Sequence, residues 1–158
     1  MIGLKFTNPS FMGKELIDIG SGAIDRAIGN PQGGATVIDL ANPANQTGVI
    51  DRIEIWFSAN ATGVKVGTFF GTAPTFTSRD VAIIGSVTAG SKQVFTGLNI
   101  AVQAGDYLGI YCTTGDMEYD TSGGVNIYFL AGDQFGAGAQ VYTQNAGDAQ
   151  SVYGTGTT

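Results

Sequence analysis

Three acidic side chains alternate along one predicted strand and are the first candidates for chemistry. Asp116, Glu118 and Asp120 lie two residues apart, so in an extended strand they project from the same face. Like charges this close repel each other unless water or a cation such as Ca²⁺ lies between them. A pair of carboxylates can also serve a glycosidase. The row therefore has three interpretations: a solvated strand end, which we favour, a weak calcium site, or a catalytic pair.

Other catalytic side chains are scarce. The sequence has no histidine, which removes the commonest general base, the Ser-His-Asp relay and most catalytic zinc sites. Cys112 is the single cysteine and falls on the apolar side of a predicted strand, so we expect a buried and unreactive thiol. Residues 13–14, Gly-Lys, lack the glycine-rich frame of a phosphate loop. We expect a protein that is not an enzyme and has no cofactor, with calcium as the one weak candidate.

The charge pattern argues against two classes of partner. The 13 acidic and 7 basic residues give a formal charge of −6, and the basic residues are scattered. Nucleic acids and anionic membranes are both bound by clustered basic residues. No apolar stretch approaches the roughly 20 residues that span a bilayer, and the N-terminus does not read as a signal peptide. We therefore expect no nucleic-acid or membrane partner, and synthesis in a cytoplasm.

The strand signals alternate with a period of two. In residues 49–57, three apolar side chains fall on one face, while Arg52, Glu54 and Trp56 fall on the other. A second clear strand covers residues 107–112, and no long segment shows the apolar stripe of an amphipathic helix. The residues that we expect in the core are Ile53, Ile55, Phe57, Leu108 and Ile110.

Short strands with glycine-rich turns and no helices indicate an all-β protein, and the chain contains 25 glycines. We predict a single antiparallel β-sandwich, in the form of a jelly roll. Residues 35–158 form the sandwich domain. Residues 1–34 form an N-terminal strand or arm and a glycine-rich loop, the loop covering residues 20–34.

Partner binding is predicted at the N-terminal arm and at one aromatic residue. Ile2, Leu4 and Phe6 alternate as in a strand, and Phe11 follows them. Such a segment either pairs with its own sheet or adds to the sheet edge of a neighbouring subunit. Trp56, on the outward face of its strand, either stacks on a sugar ring with nearby tyrosines or packs against a loop or subunit.

Several segments of the chain carry family resemblances. Residues 102–111, Val-Gln-Ala-Gly-Asp-Tyr-Leu-Gly-Ile-Tyr, are similar to the turn-into-strand segment of jelly-roll and carbohydrate-module sandwiches. The wider pattern, from Asp18 onward, resembles uncharacterised phage and prophage proteins of virions. Its segments are residues 18–26, 53–56, 66–69, 78–80 and 132–134. The resemblance implies a virion protein and supplies no active site, because none of these residues has an assigned chemical role.

The function that we expect is a non-catalytic structural component of a phage particle, either a capsid decoration or a tail or fibre protein. Such a protein is made in the host cytoplasm, resides in the virion, and assembles with other copies of itself and with a capsid or tail protein. The alternative is a carbohydrate-binding or receptor-binding sandwich module, which contacts a surface glycan through exposed aromatic side chains.

Overall fold

A computed structural model describes residues 13–158 of the chain, and in this part the regular structure is entirely β. The all-β prediction is therefore confirmed. No segment in this range is a helix with the length and apolar character of a membrane span. The strands are β1 (Leu16–Gly20), β2 (Ile28–Pro31), β3 (Ala35–Asp39), β4 (Gly48–Ile55), β5 (Phe57–Thr72), β6 (Thr75–Val87), β7 (Gln93–Val102), β8 (Tyr107–Cys112), β9 (Thr114–Asp120), β10 (Asn126–Ala131), β11 (Gln140–Val141), β12 (Thr143–Ala146), β13 (Ala149–Gln150) and β14 (Val152–Thr157).

The strands pair antiparallel and form two main sheets, which pack as a sandwich. The small sheet has the order β1-β14-β4-β7, and the large sheet has the order β11-β6-β5-β8-β3-β10-β12. A third group consists of β9 with β2 and β13, and it joins the rest of the fold through β5. The predicted antiparallel sandwich is confirmed, whereas this strand order does not confirm the jelly-roll topology.

The longest strand, β5, serves two groups of strands because it bends at a glycine. Residues 57–62 pair with β9, whereas residues 65–69 pair with β8, and β6 pairs with residues 61–72 along both parts. Between these parts, Gly63 has a φ of +60°, and a Cβ atom there would overlap the hydroxyl of Thr113. Glycine meets both requirements, since it adopts positive φ without strain and leaves this space free.

The inner core lies between the two sheets and is almost entirely aliphatic. It includes Ile17 and Ile19 from β1 and Val64 and Val66 from β5, all with at most 1% of their surface exposed. Met117 of β9 packs into the same cluster. The five residues predicted for the core are confirmed as fully buried: Ile53, Ile55, Phe57, Leu108 and Ile110.

A second cluster, the outer aromatic cluster, lies on the opposite face of the large sheet. Neighbouring residues of a strand point to opposite faces. Ile38 therefore faces away from Val37, whose partner Ile110 belongs to the inner core. The buried members of the outer aromatic cluster are Ile38, Phe69, Phe76, Tyr128 and Tyr142.

The loop that follows β10 folds back over this outer face. Its Phe135 ring lies 5.0 Å from the Phe69 ring, between centroids, and the backbone N–H of Tyr142 donates to the carbonyl of Pro74. Two glycines of the large sheet provide the space: a Cβ atom on Gly67 would overlap the Phe135 ring, and one on Gly109 would overlap the Phe69 ring. The rings pack against bare backbone because these side chains are absent.

The predicted division of the chain at residue 34 needs correction. Strand β1 pairs with β14 in the small sheet, and β2 pairs with β9. Residues 28–31 are therefore a strand, although they were predicted as loop. Their sequence, Ile-Gly-Asn-Pro, lacks period-two alternation, because this short strand is held by pairing with β9 rather than by burial of one face. The predicted arm, residues 1–12, lies outside the described residues.

Candidate interaction surfaces and polar clusters

The acidic row of β9 is bound by an arginine from a distant part of the chain. The backbone N–H of Arg26 donates to Oε2 of Glu118 at 2.7 Å, and its Nη1 donates to Oδ2 of Asp120 at 2.9 Å. The N–H of Ala27 donates to the other oxygen of Asp120, and together with Arg26 it lowers the pKa of that carboxyl. Two of the three carboxylates thus have protein partners, which corrects the expectation of a simply solvated strand end.

Arg26 also fixes the segment that contains it. Its Nε donates to Oγ of Ser151 at 2.9 Å, and its Nη2 donates to the carbonyl of Gly22 at 3.0 Å. The Ser151 hydroxyl in turn donates to the carbonyl of Ile24. With two carboxylates and Ser151 as partners, Arg26 acts as a structural clamp. Within residues 13–158, no three acidic, cysteine or histidine side chains are grouped so that they could hold a metal ion.

A second acidic residue is buried without full compensation. Asp39 has no exposed surface; its Oδ1 accepts from the N–H of Ala41, while Oδ2 has no hydrogen-bond partner among the described residues. Burial raises the pKa of Asp39 to about 6, and the nearby Ser21 hydroxyl opposes this shift only in part. The side-chain amide of Gln150 is also buried and lacks partners in the described range. We call Asp39 and Gln150 the polar defect, because both are buried beside the inner core without full hydrogen bonding among the described residues.

The aromatic residues proposed for sugar stacking are largely occupied elsewhere. Trp56 lies between β4 and β5 and is partly exposed. Its backbone N–H donates to the carbonyl of Ser151. Tyr119, Tyr128 and Tyr142 are buried. The other three tyrosines, Tyr107, Tyr111 and Tyr153, are partly exposed, as is Trp56. The other predicted partner-binding residues lie outside the described residues: Ile2, Leu4, Phe6 and Phe11.

Two segments that carry the family resemblance meet in a structural ion pair. The guanidinium of Arg79, through Nε and Nη2, donates to both carboxylate oxygens of Asp106, and this contact raises the pKa of Arg79. Asp106 also accepts from the N–H of Gln103, and the guanidinium lies 4.5 Å above the Phe70 ring. Asp106 therefore shapes the turn before β8, and Arg79 anchors that turn to β6.

The apolar rim is one exposed hydrophobic feature along a sheet edge. We define it as Val81 and Ile83 of β6 with Val94 of β7; Ile83 has 78% of its surface exposed. Among residues 13–158, β6 beyond residue 76 pairs only with β5, and β7 pairs only with β4, so neither strand has a second partner strand within this range. Oδ2 of Asp80 accepts from the N–H of Ala101, which holds the two edges together.

A cleft of about 360 Å³ opens between the inner face of the large sheet and the turn that follows β2. We call it the side cleft. Its floor is apolar and consists of Val37, Ile127 and Phe129. Its polar residues are all amides: Asn30, Gln32 and Asn145. Sequence reasoning missed this cleft, because amide residues in β2, in the turn that follows it and in β12 carry no common spacing signal.

Comparison with known proteins adds no identity: no family model and no curated protein matches the chain. The resemblance to phage proteins therefore stays a prediction based on the sequence segments themselves.

Proposed function

We propose that this chain is a non-catalytic structural component of a phage particle, which assembles with copies of itself and with a capsid or tail protein. The observation that carries the proposal is the apolar rim. An open strand edge exposes backbone donors and acceptors that pair readily with another strand.

Part of the β6 edge lacks charged and proline protection against such pairing, although register shifts interrupt its ladder with β5 between Ile83 and Gly85 and between Ser78 and Asp80. Soluble sandwiches guard open edges with charged side chains, proline or bulges that twist the edge away. Residues 81–91 contain neither a charged residue nor a proline. Val81 and Ile83 point outward from the large sheet, whereas Val94 points outward from the small sheet, so apolar side chains flank the edges on both sides. A surface of this kind suits a contact with a second copy, in which the same edge serves both partners.

The N-terminal arm contributes a second contact in this proposal. Residues 1–12 precede β1, whose one partner among the described strands is β14 of the small sheet. Their alternating apolar sequence suits strand addition to another copy or to the shell beneath. Deletion of residues 2–12 should weaken assembly and leave the fold intact. Unfolding of the truncated chain, with no assembly of the full chain, would count against the arm.

The assembly itself is tested by placing a charge on the rim. Light scattering after size-exclusion chromatography should give an oligomer for the wild-type chain and a monomer for Ile83→Lys, with the same far-UV circular dichroism spectrum for the two proteins. Val125→Lys is the matched control, because Val125 is also an exposed aliphatic residue, with 57% of its surface exposed, but precedes β10 away from the rim. It should assemble like the wild type. A wild-type monomer at every soluble concentration, or normal assembly of Ile83→Lys, would refute the rim contact.

A further inference from the structure

The side cleft has the construction of a ligand site rather than of a packing fault. Its volume of about 360 Å³ lies within the roughly 300–1,000 Å³ typical of small-molecule sites. The floor belongs to two paired strands, β3 and β10, where Val37 lies opposite Phe129. A rigid sheet therefore presents the apolar surface, and β2, the turn that follows it and β12 bring the polar groups to it.

The wall opposite the floor is a turn that backbone hydrogen bonds hold in place, and the cleft is open beside it. The N–H of Gly34 donates to the carbonyl of Cys112 at 2.8 Å, and the carbonyl of Gly34 accepts from the N–H of Gly132 at 2.7 Å. Gly34 has a φ of +81°, and a Cβ atom there would have no neighbour within 4 Å. The turn is thus held by backbone bonds, while the missing side chain leaves space at the cleft. A site that is ordered before binding has little conformational entropy to lose.

Gln32 supplies the observation that points to a ligand. Only 3% of its surface is exposed, and its Nε2 donates to the carbonyl of Ile110. Its Oε1 is buried without a donor among the described residues. A buried acceptor without a donor is costly, and native proteins rarely keep one without a reason. Because Gln32 lines the cleft, a small rotation of its side chain would bring Oε1 within reach of a hydroxyl group bound there, which would provide the missing donor.

The lining defines the chemical class of that ligand. None of the side chains that line the cleft is ionisable, so charged ligands gain no ion pair there and would lose their hydration. Amides of Asn30, Gln32 and Asn145 both donate and accept hydrogen bonds, as neutral hydroxyl groups require. The floor of Val37, Ile127 and Phe129 matches the C–H face of a sugar ring. We propose that the side cleft binds one neutral sugar ring, such as the terminal residue of a glycan.

This binding activity goes beyond the assembly role and does not depend on it, because the apolar rim and the side cleft involve different strands. The side cleft is also a different site from the sugar-stacking surface predicted at Trp56. Here the sugar would enter between the layers of the sandwich instead of stacking on the outer surface.

The test uses neutral methyl glycosides as probes. Titration of the ¹⁵N-labelled full chain with methyl glycosides of glucose, galactose, mannose and N-acetylglucosamine should give saturable shifts for at least one. The shifts should be confined to the amides of residues 30–37, 127–131 and 145. Glycerol, a free polyol without a ring, and methyl glucuronide, a charged ring, should each bind at least about tenfold more weakly.

Gln32→Met tests the residue that carries the argument. It keeps the length of the side chain and removes the unpartnered oxygen, so affinity should fall by about tenfold or more. Gln140→Met is the matched control, since the Gln140 side chain also donates to a backbone carbonyl, that of Ala137, but outside the cleft. Asn145→Ala, on the edge strand β12, gives a second loss of affinity if Gln32→Met does not fold.

The proposal is overturned if no neutral glycoside produces saturable shifts at these amides. It is equally overturned if Gln140→Met weakens binding as much as Gln32→Met, or if glycerol binds as tightly as the best glycoside.

Discussion

The inner core and the outer aromatic cluster lie on opposite faces of one sheet and exclude water by different means. The inner core joins aliphatic side chains of two sheets, such as Ile53 of β4 and Ile110 of β8. The outer cluster joins aromatic rings, such as Phe69 and Phe76, beneath a single returning loop. The difference shows that the part of the large sheet around Phe69 and Tyr128 is buried on both faces, although only one face has a second sheet against it.

The two clusters also differ in how they achieve close packing. Branched aliphatic side chains fill the space between pleated sheets without special backbone geometry. The rings pack edge to face, as between Phe76 and Tyr128 at 5.4 Å, and they need glycines beneath them. The outer cluster should therefore be as important for stability as the inner core, and more sensitive to added volume.

The largest expected effect compares one truncation in each cluster. Phe69→Ala should lower the free energy of unfolding by about 3–5 kcal/mol, and Ile55→Ala by about 2–5 kcal/mol, because both side chains are fully buried. Phe70→Ala is the control: Phe70 is 40% exposed, and the change should cost only about 1 kcal/mol. Urea titration measures all three. A loss below about 1 kcal/mol for Phe69→Ala would show that the outer cluster is only a surface cover.

The polar defect beside the inner core should make the free energy of unfolding depend on pH. Asp39 titrates at about 6 in the folded chain and near 3.8 when free, so the folded state holds its proton more tightly. Its stabilising contribution is complete below pH 3.8 and is lost as the pH rises to about 6. The total loss is about 3 kcal/mol.

Replacing Asp39 with asparagine should remove this pH dependence. Asp39→Asn should be as stable as the wild type near pH 3.5 and more stable at pH 7, by up to about 3 kcal/mol. Urea titrations of both proteins from pH 3.5 to pH 7 give the difference and cancel the other titrating groups. Parallel stability curves for the two proteins would mean that Asp39 is hydrated in the folded chain.

A smaller effect tests the role of glycine beneath the rings. Gly109→Ala should cost about 1–3 kcal/mol, because the new methyl group overlaps the buried Phe69 ring. Gly22→Ala is the control, since a Cβ atom there meets only Ile24, at 3.9 Å, and should change stability by less than about 0.5 kcal/mol. In the double variant, Phe69→Leu should recover part of the Gly109→Ala loss. Additive losses would show that the two residues do not compete for space.

The inner core could be predicted from the sequence, because period-two alternation marks one buried face. The residues around Ile53 and Ile110 follow this pattern, and all five predicted core residues are buried. The second buried face was missed. Its local signs are consecutive apolar residues, such as Val37 and Ile38 in β3 and Ile127 and Tyr128 in β10, which are typical of strands covered on both sides. The covering loop around Phe135 is rich in glycine and reads as exposed.

The candidate sites were predictable only where neighbours in sequence are also neighbours in space. The spacing of Asp116, Glu118 and Asp120 placed them together on β9. Their partner Arg26 could not be found, because it comes from more than 90 residues earlier in the chain. The same limit applies to Gln32, which reaches the carbonyl of Ile110 from a separate turn.

The proposed function is tested most directly by a cryo-electron microscopy map of phage particles that contain this chain. The account predicts that density of another copy covers the edge of β6 around Ile83, while the side cleft stays open to solvent. A map in which the β6 edge is bare in every copy would contradict the assembly proposal. Absence of the chain from purified particles would contradict the virion role itself.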